Sequence, residues 1–420
     1  MWTRRALLKT GGIGLFSVSI GGIPLFLNQA VKAAKGVSRN RKTLITIFQR
    51  GGMDGLMAVA PFSDPMLPKL RPSLSMKVAP SFLIDLDGIF GLHPAFSSME
   101  PLFQSKQLAI VHGVGSPYPT RSHFDAQDYM ETGTPGRKGT TSGWLNRATG
   151  LLGHERSSFQ AVSVTKILPL SLYGNQPALA IASLENFDIL EKKRQKANNK
   201  VKVQQITDSY QMIYRDASQD LLRHAGNESF EAIEQLKSMG ISDYRPANGA
   251  SYPKSPLGRS LRQIAQLIKA NVGLEIAFAE SRGWDTHARQ GTIEGSFARK
   301  GKDFSQSITA LWTDLGDYQN DVVLMTMTEF GRTVSENGSG GTDHGRASCL
   351  FVLGTQVDGG KVHGNVPHLV PEALDRRRDL PVTTDFRSVF SNVAGTHLDI
   401  SDDQALFPDW TGERLPLLKA

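Results

Sequence analysis

Two neighbouring stretches, DVVLMTMTEFGRT (residues 321–333) and GGTDHGRASCLFVL (residues 340–353), indicate the fold of this chain. Each contains an apolar run of the length expected for a buried strand. Continuous apolar runs, in place of strict alternation, are typical of a parallel sheet with both faces covered. The side chains of Glu329, Asp343 and His344 lie between the two runs. They are either turn residues or ligands of a metal ion.

The alternation of strands and helices extends over most of the chain. Apolar runs predict strands at residues 42–48, 108–112, 178–182, 274–281, 321–328 and 349–353. Helical spacing of apolar residues predicts helices at residues 96–103, from Ser122 onward, at 256–270 and at 293–315. We therefore expect an α/β fold, in which helices cover both faces of a mostly parallel sheet.

One long segment differs from the rest of the chain in composition. Residues 191–236 are rich in Lys, Gln, Asn and Asp, and their few apolar residues have helical spacing. This pattern is typical of exposed helices with a narrow apolar face. We therefore expect a polar helical insertion at about residues 191–250 that forms a cap over the main sheet.

The first 34 residues have the three-part plan of an export signal. A basic head that contains Arg4 and Arg5 precedes an apolar, uncharged run, and small residues follow it. The order TRRALLK (residues 3–9) is similar to a twin-arginine signal. The alternative is a membrane anchor, but Pro24 and several Gly and Ser residues make the run less apolar than a spanning helix of ~20 residues. We expect the twin-arginine machinery to export the chain to the periplasm, with membrane contact only through the signal.

Charge and cysteine content narrow the function classes. The formal net charge is +7, and four of these positive charges lie in the signal, which leaves +3 for the remainder. No stripe of Lys and Arg with interleaved aromatic residues is present, so nucleic acid is not an expected partner. Cys349 is the only cysteine and lies in an apolar run. We expect a buried thiol there, without a disulfide or thiol chemistry.

Side chains that could bind a metal ion follow the predicted strands along the whole chain. Ligands of open α/β sheets bind beyond the carboxyl ends of the strands, where loops from distant parts of the sequence meet. Carboxylates and imidazoles without thiolates favour a divalent ion, with zinc the first choice and manganese or calcium the alternatives. The expected metal ligands, for one or two ions, are Asp54, Asp285, His287, Glu329, Asp343 and His344.

Other residues near these strand ends have both a chemical and a structural interpretation. Ser122 at a helix start is a candidate nucleophile, and the alternative is an N-cap. Arg121 and Arg332 are candidates for binding a phosphate or sulfate group through two hydrogen bonds, and the alternative is a structural ion pair. Asp54 in GGMDG is a turn residue in the alternative interpretation.

Several motifs resemble one family of exported bacterial proteins, the domain of unknown function 1501. The family is itself similar to the alkaline phosphatase and sulfatase superfamily. In chain order, these motifs are RGGMDGL, TRSHFDAQDYMETG, GWDTH, TEFGRT, GGTDHGRAS and TTDFRSVF. The resemblance implies a single alkaline-phosphatase-like domain over residues 35–420. It also implies that Ser122 is the nucleophile and that Asp54 binds one metal ion.

The resemblance further implies that Asp285 and His287 bind a second ion and that His344 is the last ligand. In the superfamily an Asp-His dipeptide follows the intervening strand, whereas this chain has Glu329 and Phe330 there. One imidazole is therefore missing. His123, next to the expected nucleophile, either replaces it or binds the substrate anion.

These patterns lead to two hypotheses of different classes. The first is an exported, metal-dependent hydrolase of a small phosphate or sulfate ester, with Ser122 and His123 as catalytic residues. The second is a non-catalytic binding or scaffolding protein of the cell envelope that has kept the phosphatase-like fold. The missing imidazole favours the second hypothesis, and the Ser, Asp and His residues at strand ends favour the first.

Overall fold

The computed structural model describes residues 17–18, 41–79, 82–154, 157, 159–184 and 244–419. Most of the expected export signal and residues 191–243 of the expected insertion therefore lie outside the described residues. The described end of the insertion, residues 244–250, contains no helix. None of the helices in the described ranges is long and apolar enough to cross a membrane.

The described strands form two sheets. A large sheet contains ten strands and a small one contains three. In chain order the strands are β1 (Ser17–Val18), β2 (Thr43–Arg50), β3 (Val59–Ala60), β4 (Ile84–Asp85), β5 (Gly91–Leu92), β6 (Leu108–Gly115), β7 (Ala161–Ser163), β8 (Leu179–Ala180), β9 (Ile276–Arg282), β10 (Val322–Met327), β11 (Ser348–Leu353), β12 (Val362–Gly364) and β13 (Thr384–Asp385). The small sheet has the order β3-β5-β4.

The described α-helices include three long ones and several short ones. They are α1 (Gly55–Ala58), α2 (Leu67–Leu70), α3 (Glu100–Gln104), α4 (His123–Thr132), α5 (Trp144–Leu151), α6 (Pro256–Lys269), α7 (Ser296–Leu315), α8 (Phe386–Leu398) and α9 (Asp403–Leu406). Short 3₁₀ helices span Pro94–Met99, Leu170–Leu172, Gly316–Asp321 and Pro371–Ala373.

The large sheet is mixed, with one inner strand reversed. Its order is β1-β8-β7-β9-β2-β10-β11-β6-β12, and β13 also pairs with β6. Strand β2 is parallel to β9 and β10, whereas β11 is antiparallel to both of its neighbours, β10 and β6. The amino end of β11 therefore lies at the same edge of the sheet as the carboxyl ends of β2, β6, β9 and β10. We call this the carboxyl edge.

Helices cover both faces of the large sheet, and the side chains of its central strand alternate between two cores. Leu44 and Phe48 of β2 pack into the core that includes residues of α5 and α8. Ile45 and Ile47 point to the other core, which includes residues of α6 and α7. All four side chains are fully buried. Burial on both faces explains why the strand is apolar throughout, since neither face meets water.

The predicted α/β fold is confirmed. Each of the six predicted strands overlaps an observed strand, and each predicted helical segment outside 191–236 contains a helix. The sheet is mostly parallel, as predicted; the one reversed inner strand, β11, was not predicted, because an apolar run does not indicate strand direction. Cys349 is fully buried in β11 as expected, and burial raises the pKa of its thiol.

Candidate metal centre

Three segments at the carboxyl edge meet at one point. They are the start of α4, the loop after β9, and the loop that joins β10 to β11. Because β11 is reversed, β10 ends and β11 begins at this edge. Both ends of the third segment therefore lie here. Asp285 and His287 lie in the second segment, and Glu329, Asp343 and His344 lie in the third.

Four side chains of these segments lie close together: His123, Asp285, His287 and His344. One ligand atom from each of His123, Asp285 and His344 lies within 4.8 Å of the others, and His287 is outside that group but contacts Asp285 and His344. Oδ1 of Asp285 lies 3.1 Å from Nε2 of His287 and 3.3 Å from Nε2 of His344. The other oxygen of Asp285, Oδ2, lies 3.5 Å from Nε2 of His123. The two Nε2 atoms of His287 and His344 are 2.9 Å apart. We call these four residues the metal cluster.

The spacing of these atoms fits one ion. Ligands at about 2.0–2.1 Å from a tetrahedral zinc ion lie about 3.3 Å from one another. The three contacts to Asp285 and the contact between His287 and His344 span 2.9 to 3.5 Å, and one ligand atom from each of His123, Asp285 and His344 lies within 4.8 Å of the others. Nε2 of His123 is also buried and has no hydrogen-bond partner among the described residues. An unpartnered imidazole nitrogen that faces a carboxylate and another imidazole is the arrangement that a bound cation satisfies.

Each imidazole of the metal cluster is held through its other ring nitrogen. Nδ1 of His123 lies 2.9 Å from Oε1 of Glu329, and Nδ1 of His287 lies 3.0 Å from Oδ1 of Asp343. Nδ1 of His344 lies 2.8 Å from the carbonyl oxygen of Arg121. A carbonyl or a carboxylate can only accept, so the proton of each neutral ring resides on Nδ1. Histidines that bind metal ions in proteins have this arrangement, which leaves the Nε2 lone pair free.

The charge states of the surrounding groups agree with this arrangement. Burial raises the pKa of Glu329, but hydrogen bonds from His123, Gln127 and the backbone outweigh burial, and the pKa lies below its usual range. The hydrogen bond to Glu329 raises the pKa of His123. Burial lowers the pKa of His344, which keeps this ring neutral and able to bind an ion.

The carboxylate of Asp285 is also held in its charged form. Burial raises its pKa, but the hydrogen bond and the charge of Arg332, together with the charges of His287 and His123, outweigh burial and lower it. The side chains of Asp285 and His287 are 42% and 43% exposed, so one side of the metal cluster is open to solvent. On the other side, the ring of Phe330 packs against His123 and His344, with centroid distances of 4.8 and 4.7 Å. The metal cluster is therefore bounded by the ring of Phe330 on one side and accessible to solvent on the side of Asp285 and His287.

Two of the expected metal ligands contact Nδ1 of the histidines in the metal cluster instead of facing the Nε2 atoms. Glu329 is buried, and its carboxylate accepts hydrogen bonds from His123, from Gln127 and from the backbone N–H of Gly51. Asp343 accepts from His287 and Asn337. Both carboxylates orient histidines, and the structure brings His123 into the set in their place.

Asp54 lies away from the metal cluster. Its carboxylate is buried and makes two hydrogen bonds with the guanidinium of Arg71, at 2.8 and 3.1 Å. Nε2 of Gln290 also donates to it, at 2.8 Å. Its oxygen Oδ1 caps α1 by accepting from the backbone N–H of Met57. Asp54 is thus engaged in an internal ion pair, and no contact among the described residues joins its carboxylate to the metal cluster.

The two candidate anion-binding arginines have different surroundings. Arg332 is buried and donates to the backbone carbonyls of Gly51, Gly52, Trp284 and Thr342 and to Asp285. The structural interpretation therefore applies to Arg332. The side chain of Arg121 is 35% exposed and pairs with the buried Asp379.

Ser122 is the N-cap of α4. Its Oγ accepts from the backbone N–H of Asp125 at 3.4 Å, which is a long hydrogen bond. The residue directly precedes His123 of the metal cluster. Its hydroxyl thus lies at the end of α4 that carries His123. It also has the N-capping role that is common for such a serine.

Two residues that support the centre had not been singled out in the sequence. Gln127 accepts from Arg50 and donates to Glu329, both at 2.9 Å. Its position four residues after His123, on the same face of a helix, was a usable signal. Arg71 directly follows α2 as its C-cap. It lies outside the motifs of the chain, and no pattern in the sequence pointed to it.

Comparisons with known proteins identify a family that the chain matches. A sequence model of the family described as "Protein of unknown function (DUF1501)" matches residues 103–408. No curated protein matches the chain. Among solved structures, the PsFucS1 sulfatase from Pseudoalteromonas sp. is similar at 11% identity with a TM-score of 0.34. The match covers 78% of this chain and 65% of that chain, so this chain spans less than two thirds of the sulfatase's length. At this score the likeness supports no conclusion about activity.

Proposed function

The chain belongs to the DUF1501 family of proteins of unknown function, and we propose that it is an exported, metal-dependent hydrolase of small phosphate or sulfate esters. One observation carries the proposal. Ligand atoms of His123, Asp285 and His344 lie within 4.8 Å of one another at an edge of the sheet that is open to solvent, Nε2 of His287 lies 2.9 Å from that of His344, and each imidazole is fixed through Nδ1. Histidines that bind a metal ion typically donate the other ring N–H to a carboxylate or a carbonyl in this way.

The donor set favours zinc. Three imidazole nitrogens and one carboxylate suit a transition metal, whereas calcium prefers oxygen ligands only. The residues that would hold the ion are His123, Asp285, His287 and His344. A divalent ion bound there supplies Lewis acidity toward the oxygens of an anionic ester. Manganese remains the alternative metal, and the donor set argues against calcium.

The chain's own residues would bind and attack the ester. Ser122 is the proposed nucleophile, because it directly precedes His123 and its hydroxyl makes only a long hydrogen bond, at 3.4 Å. Arg121 is the proposed anion-binding residue, since its guanidinium is partly exposed and its carbonyl holds His344. Arg332 has no such role in this proposal, since its donors are engaged by carbonyls and Asp285.

The metal content of the purified protein tests the proposal. The mature chain is prepared without an affinity histidine tag or chelator, and its metals are measured by plasma mass spectrometry. We expect about one equivalent of zinc or manganese in the wild type, by the ligand count of a single-ion site. His344→Ala and His123→Ala should lose the ion. His368→Ala is the matched control, because this side chain is 85% exposed and far along the chain from every ligand.

A second candidate function is a non-catalytic binding protein of the cell envelope. It is favoured by the engagement of Asp54, Arg332 and the hydroxyl of Ser122 in internal contacts. A panel of phosphate and sulfate esters, assayed with the metal-loaded protein, separates the two. Turnover that disappears with the ion supports the hydrolase, and a metal-free, fully folded wild type supports the binding protein.

Export is proposed from the N-terminal sequence. Arg4→Lys combined with Arg5→Lys keeps the charge of the signal but removes the arginine pair. We expect this variant to stay in the cytoplasmic fraction while the wild type reaches the periplasm. Equal periplasmic amounts of both would contradict the twin-arginine route.

A further inference from the structure

The buried ion pair of Asp54 and Arg71 contacts both loops that carry residues of the metal cluster. The side chains of Asp54 and Arg71 are each only 1% exposed. Beyond its two hydrogen bonds to Asp54, Arg71 donates to the carbonyl oxygens of Thr333 and Val334, at 2.8 and 2.7 Å. These two residues begin the part of the β10–β11 loop that leads to Asp343 and His344. The guanidinium thus joins Asp54, at the end of β2, to the loop that carries one ligand of the metal cluster.

The other loop is joined to the same carboxylate. Gln290 donates to Oδ2 of Asp54 at 2.8 Å. Its side-chain oxygen Oε1 accepts from the hydroxyls of Thr286 and Thr342, at 2.8 and 2.9 Å. The backbone N–H of Thr342 also donates to the carbonyl of Thr286, at 3.1 Å. These contacts tie the loop after β9 to the β10–β11 loop through one buried polar network.

The two threonines flank the metal ligands directly. Thr286 lies between Asp285 and His287, and Thr342 precedes Asp343 and His344. Thr286 is 4% exposed and Thr342 is fully buried, whereas Asp285 is exposed. The buried threonines therefore anchor the backbone of the two loops next to Asp285, His287 and Asp343.

The two loops also approach each other too closely for a side chain at one position. A Cβ atom at Gly341 would lie 2.4 Å from the carbonyl oxygen of Thr286 and 2.5 Å from the carbonyl carbon of His287. Glycine at this position thus lets the backbones touch. The relative position of the loops is set by backbone contact and by the Asp54–Arg71 network together.

We propose that Arg71 is the permanent cation at Asp54 and a positioning residue for the metal cluster, so that the protein binds one divalent ion and Asp54 is not a ligand. This inference rests on the proposed metal site. The guanidinium neutralises a carboxylate that would otherwise be buried without a counter-charge. Through the network of Gln290, Thr286 and Thr342, the pair holds the two ligand loops at the separation that one ion requires.

The test uses a double variant, Asp54→Asn combined with Arg71→Met. Removing both partners avoids the uncompensated buried charge that a single substitution would leave. The full mature chain is loaded with Co²⁺, and its visible spectrum, stoichiometry and affinity are measured. We expect one equivalent in both proteins, with about 10- to 100-fold weaker binding and a changed spectrum in the variant, as is usual when the residues that orient metal ligands are lost.

A milder variant guards against loss of folding. Thr342→Val keeps the shape of the side chain and leaves the ion pair in place, but removes the hydroxyl that donates to Gln290. We expect several-fold weaker Co²⁺ binding with a smaller spectral change. The matched control is Asp314→Asn combined with Lys269→Met, a second ion pair with a fully buried carboxylate. Asp314 lies near the end of α7, before β10 begins, and thus at the opposite edge of the sheet from the metal cluster. This control variant should leave the Co²⁺ spectrum unchanged.

Amide hydrogen exchange in the metal-free protein gives an independent readout. We expect residues 285–290 and 333–344 to exchange faster in the Asp54→Asn/Arg71→Met variant than in the wild type, because the network no longer joins the loops. Unchanged exchange, or an unchanged spectrum and affinity, would overturn the positioning role. Two equivalents in the wild type, with one lost in the double variant, would show Asp54 to be a ligand. A wild type that binds no divalent ion would instead overturn the proposed function.

Discussion

The Nε2 atoms of His287 and His344 lie 2.9 Å apart, although 57 positions separate the two residues in the sequence. Both rings direct Nδ1 at an acceptor, the carboxylate of Asp343 and the carbonyl of Arg121. If both rings are neutral, two lone pairs face each other at hydrogen-bond distance, which is repulsive. A cation between them, either a metal ion or a proton, converts the contact into an attractive one.

Metal loading should therefore release protons. The hydrogen bond to Glu329 raises the pKa of His123, so that this ring also holds a proton at pH 6 in the metal-free protein. We expect about one or two protons released per Zn²⁺ at pH 6, and fewer at pH 8. Calorimetry in buffers of different ionisation enthalpy measures this number. No release at pH 6 would contradict binding through the imidazoles.

Replacing Glu329 by Gln should weaken metal binding without removing a ligand. The substitution keeps the size of the side chain but removes the charge that holds Nδ1 of His123. We expect about 10- to 100-fold weaker Zn²⁺ affinity, measured by competition with a chelator. Glu336→Gln, a change in the same loop at a residue that contacts the backbone of Ser73 and Leu74, is the control. A complete loss of the ion in Glu329→Gln would make Glu329 itself a ligand.

The metal-free protein should lose stability in mild acid. Burial lowers the pKa of His93, His112 and His397 to about 4 each. As the pH falls below about 6.5, the unfolded chain takes up these protons first, so stability is full above that pH and is lost down to about pH 4. Each group contributes at most about 3 kcal/mol.

Urea unfolding with chelator present, at pH 7.5, 6 and 5, checks this dependence. His397→Gln should have a shallower slope, because Gln keeps a donor for the carbonyl of Thr43 but does not titrate. A wild-type stability that is independent of pH between 7.5 and 5 would contradict the burial of neutral imidazoles.

Ser122→Ala distinguishes a nucleophile from an N-cap. Loss of a cap costs about 1 kcal/mol of stability, whereas loss of a nucleophile lowers turnover by several orders of magnitude. We expect both effects, with the metal content unchanged. Ser255→Ala is the control, because Ser255 caps α6 through a 2.9 Å hydrogen bond from Gly258 and is not part of the centre. Full turnover in Ser122→Ala would leave Ser122 as an N-cap alone.

Arg332→Met should destabilise the whole protein. The guanidinium is buried and holds carbonyls at the ends of β2 and β9 as well as Asp285. Its removal takes a donor from several buried carbonyls, each of which costs about 1–3 kcal/mol when left unsatisfied, and we expect a loss of about 3–5 kcal/mol in the free energy of unfolding. Arg282→Met, at a side chain that is 75% exposed, should change it by less than about 1 kcal/mol. A stable Arg332→Met variant with weakened substrate binding would restore the anion-binding role.

The strands and helices could be predicted from the sequence because burial on both faces leaves an apolar signature. The run in β2 and the runs in β10 and β11 have no polar face, and helices α6 and α7 repeat apolar residues at helical spacing. The sequence also placed Asp285, His287 and His344 at strand ends, where side chains from distant segments meet. This apolar signature does not indicate strand direction, so the reversal of β11 is seen only in its pairing with β10 and β6.

The roles of the individual carboxylates were decided by tertiary contacts. In the sequence, Asp54, Asp285 and Glu329 were equivalent, since each is an acid that follows a buried strand. In the folded chain, Asp54 meets Arg71, Glu329 meets Nδ1 of His123, and Asp285 alone faces the open side of the metal cluster. Local sequence determines which residues reach the carboxyl edge of the sheet. Which of them a cation can contact depends on the partner that each carboxylate finds across the fold, and a strand pattern holds no information about that partner.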